Sequence, residues 1–306
     1  YEIADIIIII VFSKFNIYLY LCRMNTMVQY ISERLHPYYS ESEAFELALW
    51  VAEEISGHNR THLILESDCK DIKNISYLEK IISRLIKKEP IQYILGYTDW
   101  MGLHLKLNQH TLIPRPETAE LVEWICSMDW DNKINRERPI RVLDLCTGSG
   151  CIALALKHRH PNWDICGVDI QEECIAIACE NSKNLNLSIE WKVGNVLSTN
   201  ILDILPDEVD IIVSNPPYVR ECEKNEMSVN VLAYEPHLSL FVSDADPLIF
   251  YASIARLYKS NHLFFEINEH LHNETHQLLT SLGYTDIQTK KDIFTKNRML
   301  YGCLKK

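Results

Sequence analysis

Two stretches of this 306-residue chain carry residue types that could do chemistry. The first is SNPPYVRE, Ser214 to Glu221, directly after the apolar run Val209 to Val213. Asn215 offers a side-chain carbonyl oxygen beside the backbone carbonyl of Pro216, and prolines 216 and 217 hold their φ angles at about −65°, so the acceptors stay in place. Two acceptors converging on one point suit an NH2 group, and Tyr218 adds a flat face for a planar amide or base. Standing alone, such a corner would more often be a strand-ending turn with an Asx cap and a core tyrosine. The second stretch is VLDLCTGSGCIA, beginning at Val142. Asp144 sits at a strand end, Cys146 and Thr147 open a turn, and Gly148 and Gly150 let the backbone bend tightly, approach a ligand and enter a helix with free N–H groups. The pattern departs from G-x-G-x-x-G, because Cys146 stands at the first glycine position and the third glycine is missing. A carboxylate here would repel a pyrophosphate, which favours a ligand with a ribose and a cationic or amino-acid tail. Asp169 closes CGVDI, where an acidic side chain accepts from both ribose hydroxyls, although alone it could equally be a capping residue. Asn195 in VGNVL ends a third run, as an amide for an adenine edge or as a simple turn.

These residues need a scaffold. From Arg141 onward, IRVLDLC, DICGVDI, VDIIVSN and HLFFEI are short apolar runs alternating with helical stretches such as GCIALALKHRHP and EECIAIACENSKNLN. That alternation predicts a doubly wound, Rossmann-like α/β domain over residues 113–306, a parallel sheet covered on both faces, with its site at the carboxyl ends of the strands. Asp144, Asp169, Asn195, Asn215 and Glu266 all end such runs. Residues 27–95 predict a small helical bundle. SESEAFELALWVAEEISG takes Ser40 or Ser42 as N-cap, Phe45, Leu47, Leu49, Val51, Ala52 and Ile55 as apolar face, and Gly57 as stop. SYLEKIISRLIKKEP takes Ser76 as cap and Leu78, Ile81, Ile82, Leu85 and Ile86 as its stripe. Residues 96–112 read as a β-hairpin linker on the alternation Leu103, Leu105, Leu107. LIPRPETAELVEWICSM then opens a helix with Pro116 in its first turn.

Composition narrows the partners. A formal charge of −12 repels phosphate backbones, so stable nucleic-acid binding is not expected and a protein or small molecule is the better partner. The ten cysteines lie scattered through apolar segments without CxxC pairs, as in a reduced, cytoplasmic protein, and the twelve histidines show no metal-ligand grouping, so no metal is expected. The opening run IIIIIVF is interrupted by Asp5, Lys14 and Asn16 and falls far short of the roughly 18 residues of a membrane span. Residues 1–26 are read as a non-native or disordered leader.

In chain order, Asp144, the glycine turn, Asp169 and the Asn-Pro-Pro-Tyr corner resemble the class I methyltransferases that use S-adenosyl-L-methionine. The resemblance implies cofactor contacts from Asp144, Cys146, Thr147, Gly148, Gly150, Asp169, Asn195 and Asn215. Methyl transfer from a sulfonium develops positive charge on the attacking nitrogen, which preorganised acceptors stabilise without a strong base. Enzymes with such corners act on adenine amino groups or glutamine amides, and the corner alone leaves both open. LIPRPETAELVE, preceded by EPIQYILGYTDWMGLHLKL and a helical region, closely resembles the bacterial peptide chain release factor glutamine methyltransferases from about Met27 to the C-terminus. That family implies methylation of the glutamine amide in the Gly-Gly-Gln motif of release factors, with S-adenosyl-L-methionine as cofactor. Asn215, Pro216 and Tyr218 would be catalytic, Pro217 would join them in holding the substrate, and Arg115 and Glu117 would line the substrate side. Without that resemblance, Arg115 and Glu117 read as a charge pair at a helix start. Glu235 and Glu266 read equally as caps or ion-pair partners. Asn268 stands where the family has glycine, and Asn195 where an acidic residue is common. The competing functions are an adenine amino-group methyltransferase for DNA or RNA, weakened by the acidic chain, and a cofactor-sensing scaffold, which would need an occluded corner.

Overall fold

The computed structural model describes residues 26–65, 74–134, 138–258 and 261–304. Almost all of the expected leader lies outside them. The chain divides into two compact units, one ending at Ile94 and the other beginning at Leu95.

The first unit is helical: Thr26–Leu35, Glu41–Ser56, Arg60–Leu65 and Ile75–Ile86, followed by Ile91–Leu95 at the boundary. Ser40 caps the second helix by accepting from the Glu43 N–H, and Gly57 ends it at φ 70°. Its core face differs from the one expected. Ala44, Ala48 and Ala52, spaced i, i+4, i+8, are buried with Leu49 and Val51, whereas Phe45, Leu47 and Ile55 stay half-exposed. Small residues on the stripe let the helix Thr26–Leu35 pack close, and large side chains then spread to the flanks. The cap of Ile75–Ile86 is Asn74 rather than Ser76; the Asn74 side chain accepts from the Tyr77 N–H and starts the helix one residue before Ser76.

The second unit opens with a hairpin, β1 (Tyr97–Trp100) and β2 (Leu103–Lys106), with Leu103, Leu105 and Leu107 inward as their alternation requires. Buried Asn181, on the helix Glu172–Asn184, fastens it by accepting from the Lys106 N–H and donating to the Lys106 carbonyl. Seven strands make the main sheet: β3 (Arg141–Leu145), β4 (Asp164–Asp169), β5 (Glu190–Val193), β6 (Ile211–Ser214), β9 (Asn261–Glu266), β10 (Thr285–Lys291) and β11 (Asn297–Leu304), in the order β10-β11-β9-β6-β3-β4-β5. Two short strands, β7 (Val219–Arg220) and β8 (Phe241–Val242), pair beside it. Five strands are parallel. Successive residues alternate between two cores: Val142, Ile211, Val213 and Phe264 pack under the helices Pro116–Cys126 and Cys151–Arg159, and Leu143, Leu145, Ile212 and Phe265 under Ile249–Ala255. Burial on both faces is why these runs read as continuously apolar. The antiparallel β11 and β10 were not legible in the same way: β10, TDIQTKK, is a mostly exposed edge strand with little apolar character.

Chain order reverses between β3 and β6, which lie side by side with Leu145 opposite Ser214. The turn after β3 and the corner after β6 are therefore neighbours at the carboxyl end of the sheet, the switch point where doubly wound sheets form crevices.

Candidate active site

The crevice is an open cavity of about 990 Å³, counting the solvent space at its mouth. Of the residues read from the sequence, Arg115, Cys146, Thr147, Gly148, Asp169, Asn195, Asn215 and Pro217 line it; Asp144, Gly150, Pro216, Tyr218 and Glu117 do not.

The floor is the turn after β3. Cys146 takes φ 60°, the left-handed conformation in which a glycine would be unstrained, and burial pushes its thiol well above the ordinary range. Gly148, at φ 56°, has open space where a Cβ would project, so a ligand can approach its backbone. Gly150, at φ 80°, starts the helix Cys151–Arg159 and has no such room: a Cβ would lie 2.7 Å from the Trp191 ring.

Asp144 corrects the expectation of a ligand-facing carboxylate. It is 0% exposed beneath the turn, where Oδ2 accepts from the Thr147 hydroxyl and the Ala153 N–H, while Oδ1 has no partner among the described residues. Its task is to hold turn and helix together. Burial raises its pKa to about 7, against the pull of those two hydrogen bonds. Asp169 does face the cavity. Its oxygens accept from the Gly148 N–H at 2.9 Å and the Gln171 N–H at 3.0 Å, which aims the carboxylate and leaves lone pairs for hydroxyl donors. Burial again raises its pKa. Asn195 uses Oδ1 to accept from the Leu197 N–H at 2.9 Å, so its turn role is real, and its Nδ2 stays available as a donor to a ligand.

The corner after β6 is held from behind. Asn215 Nδ2 donates to Thr118 Oγ1 at 3.2 Å, and no hydrogen bond among the described residues ends on Asn215 Oδ1 or on the Pro216 carbonyl. Tyr218 is not the free stacking face expected. Its ring packs against the core and its hydroxyl donates to Glu266 Oε1 at 2.9 Å, while Asn268 Nδ2 donates to its carbonyl at 3.0 Å. Burial, then the charge of Glu266, pushes the Tyr218 pKa well up, so the phenol keeps its proton. Arg115 pairs with Glu235 across 2.6 Å, not with Glu117, which sits in the first turn of Pro116–Cys126 away from the cavity wall. Sequence reasoning passed over Thr118, because a threonine in a helix first turn carries no signal of its own. Among the described residues no cluster of three or more His, Cys, Asp or Glu side chains could hold a metal ion, and no helix is long and apolar enough to cross a membrane.

The sheet, the glycine turn at its switch point and the polar corner beside it make this a methyltransferase of the doubly wound class I fold, and the sequence pattern of the methyltransferase small domain matches residues 132–237. The catalytic domain of hMettl16, solved in complex with MAT2A 3'UTR hairpin 6, superimposes with a TM-score of 0.50 at 14% identity, covering 76% of this chain and 83% of that one, a likeness of fold alone. The PrmC N-terminal domain pattern matches residues 26–96. The release factor glutamine methyltransferase of Flavobacterium psychrophilum is 40% identical over 283 residues, covering 90% of this chain and 97% of that protein. The one from Bacteroides thetaiotaomicron is 39% identical over 287 residues, covering 90% and 99%. The chain belongs to the release factor glutamine methyltransferase family.

Proposed function

We propose that the chain methylates the side-chain amide nitrogen of the glutamine in the Gly-Gly-Gln motif of a peptide chain release factor, with S-adenosyl-L-methionine as donor, in the cytoplasm. The observation that carries this reading is the state of the corner: Asn215 spends its NH2 on Thr118 and leaves its carbonyl oxygen unengaged, next to a Pro216 carbonyl that also receives no hydrogen bond among the described residues. A primary amide has two N–H donors to match.

The residues also suit the donor. Gly148 leaves room for close approach, the Asp169 carboxylate suits ribose hydroxyls, and Cys146, Thr147 and the Asn195 Nδ2 complete the wall, with Gly150 and Asp144 supporting it from beneath. S-adenosyl-L-methionine supplies an electrophilic methyl on a sulfonium. Asn215 and Pro216 orient the amide nitrogen and stabilise the positive charge that grows as its N–C bond forms and the S–C bond breaks; the surplus amide proton then leaves to solvent. An amide nitrogen is a weak nucleophile, its lone pair being delocalised, so geometry has to do most of the work. Pro217 and Arg115, which line the cavity, would meet the substrate, and Tyr218 braces the corner. Glu117 would reach substrate only outside the cavity.

The test is an incubation with methyl-labelled donor and, separately, a purified release factor, the same factor with its Gly-Gly-Gln glutamine changed to alanine, DNA and ribosomal RNA. Label is expected in the unaltered factor alone, and Asn215→Ala is expected to lose transfer by about 10²-fold or more while still binding donor. Label found only in nucleic acid overturns the proposal in favour of adenine methylation.

A further inference from the structure

Glu266 is 1% exposed, 148 residues from Thr118 in the chain, and yet its Oε2 accepts from the Thr118 hydroxyl at 2.6 Å. Its other oxygen accepts from the Tyr218 hydroxyl. Thr118, itself 2% exposed, is the residue to which Asn215 donates. The three contacts form one line from the Tyr218 hydroxyl through the buried carboxylate to the amide at the corner.

We propose that Glu266 and Thr118 are positioning residues that set which way round the Asn215 amide faces, and so present its oxygen, not its NH2, to the substrate. The inference rests on the proposed role of the corner as an amide acceptor. The logic is a count of protons. An ionised Glu266 has no proton to give and already takes one hydroxyl on its other oxygen, so Thr118 donates to it, as the 2.6 Å contact runs. A hydroxyl has only one, so toward Asn215 the Thr118 oxygen can only accept. What it accepts is the Nδ2–H at 3.2 Å. Turning the amide over would set Oδ1 against the lone pairs of Thr118, with no hydrogen between them, and would point an N–H at the incoming substrate N–H groups. The two ends of an asparagine side chain are nearly isosteric, so shape alone does not choose between them; the direction of donation does.

Burial raises the Glu266 pKa, while the Thr118 and Tyr218 donors and the Arg298 charge oppose that rise, and Glu117 adds to it. The carboxylate is thus braced by donors on both oxygens. Tyr218 and Thr118 are held by the same group, which couples the proline corner to the start of the helix Pro116–Cys126.

Steady-state transfer to a purified release factor, with donor affinity measured by calorimetry, tests this in the full chain. Thr118→Val keeps the shape and removes the hydroxyl; kcat is expected to fall on the order of 10- to 100-fold with donor Kd unchanged. Thr118→Ser, which keeps the hydroxyl and loses the methyl, is expected to recover most of that loss. Glu266→Gln leaves one acceptor oxygen for the two hydroxyls of Thr118 and Tyr218; with its NH2 toward Thr118, the Thr118 proton turns to Asn215 Oδ1, so kcat is expected to fall, and the Thr118→Val/Glu266→Gln double variant to lose no more than Thr118→Val alone. Asn215→Ala is run in parallel. Loss in Asn215→Ala with full kcat in Thr118→Val overturns the positioning role and leaves the acceptor corner standing. Equal losses in the valine and serine variants also overturn it, because packing would then explain both. Normal turnover in Asn215→Ala removes the acceptor corner itself, and the positioning role with it.

Discussion

Arg115 and Glu235, 120 residues apart in the chain, meet at 2.6 Å in an ion pair whose carboxylate is 1% exposed and whose guanidinium is 32% exposed. The pair joins the N-cap of Pro116–Cys126 to the segment before Leu238 and Ser239, both of which line the cavity. The second carboxylate oxygen, Oε2, is buried without a partner among the described residues.

Removing the cation alone is therefore expected to cost more than removing both groups. Arg115→Ala leaves an uncompensated buried carboxylate and should lower stability by about 1–3 kcal/mol, less than for a fully buried pair because the guanidinium is partly solvated. Arg115→Ala/Glu235→Ala should regain part of that in thermal or urea unfolding. A double variant less stable than Arg115→Ala would contradict the account.

The two glycines of the turn after β3 are expected to fail differently. Gly150→Ala adds a Cβ at 2.7 Å from Trp191 on a residue at φ 80°, and should cost about 2 kcal/mol or more in stability. Gly148→Ala meets open space, so its stability cost is limited to about 1–2 kcal/mol from φ 56°, but the methyl intrudes where donor is expected to approach. Unfolding curves and donor titrations of both variants separate the effects: the larger Tm loss belongs to Gly150→Ala and the larger loss of donor affinity to Gly148→Ala.

Asp144 gives a pH dependence with a definite sign. Its folded pKa is raised to about 7 from 3.8 by burial, so the folded protein keeps this proton after the unfolded chain has lost it. The contribution is fully present below pH 3.8 and is lost as the pH rises to about 7. Asp169 and Glu266, also raised, act in the same direction. Asp144→Asn has no proton to lose and should flatten the decline in stability between about pH 4 and pH 7. Urea unfolding of both proteins across that window measures the difference; parallel curves would refute the assignment.

Much of the scaffold was legible because each strand buried on both faces shows as one apolar run, and the helices between them carry their own periodicity. The edge strand β10 was not, since its polar, mostly exposed sequence would serve equally well as loop. In the first unit, periodicity located the helices but overvalued size: Phe45 and Leu47 read as core, while the seam runs through Ala44, Ala48 and Ala52. Asn268, which departs from the family glycine, could not be interpreted from sequence either; in the fold it donates to the Tyr218 carbonyl and to Glu223 Oε2, bracing the corner from outside.

By itself the sequence determined the order of the turn after β3, Asp169 and the Asn-Pro-Pro-Tyr corner, because each is a local stretch built from residues with unusual backbone freedom or rigidity, or with a charge at the end of an apolar run. Tertiary structure alone decided that Asp144 lies under the turn and not in the cavity, that Arg115 answers Glu235 and not Glu117, and that Thr118 and Glu266 stand behind Asn215. Those pairings depend on which strand lies beside which. Parallel neighbours in a doubly wound sheet are joined by crossovers of a dozen residues or more, so partners at their ends share no local spacing in the chain.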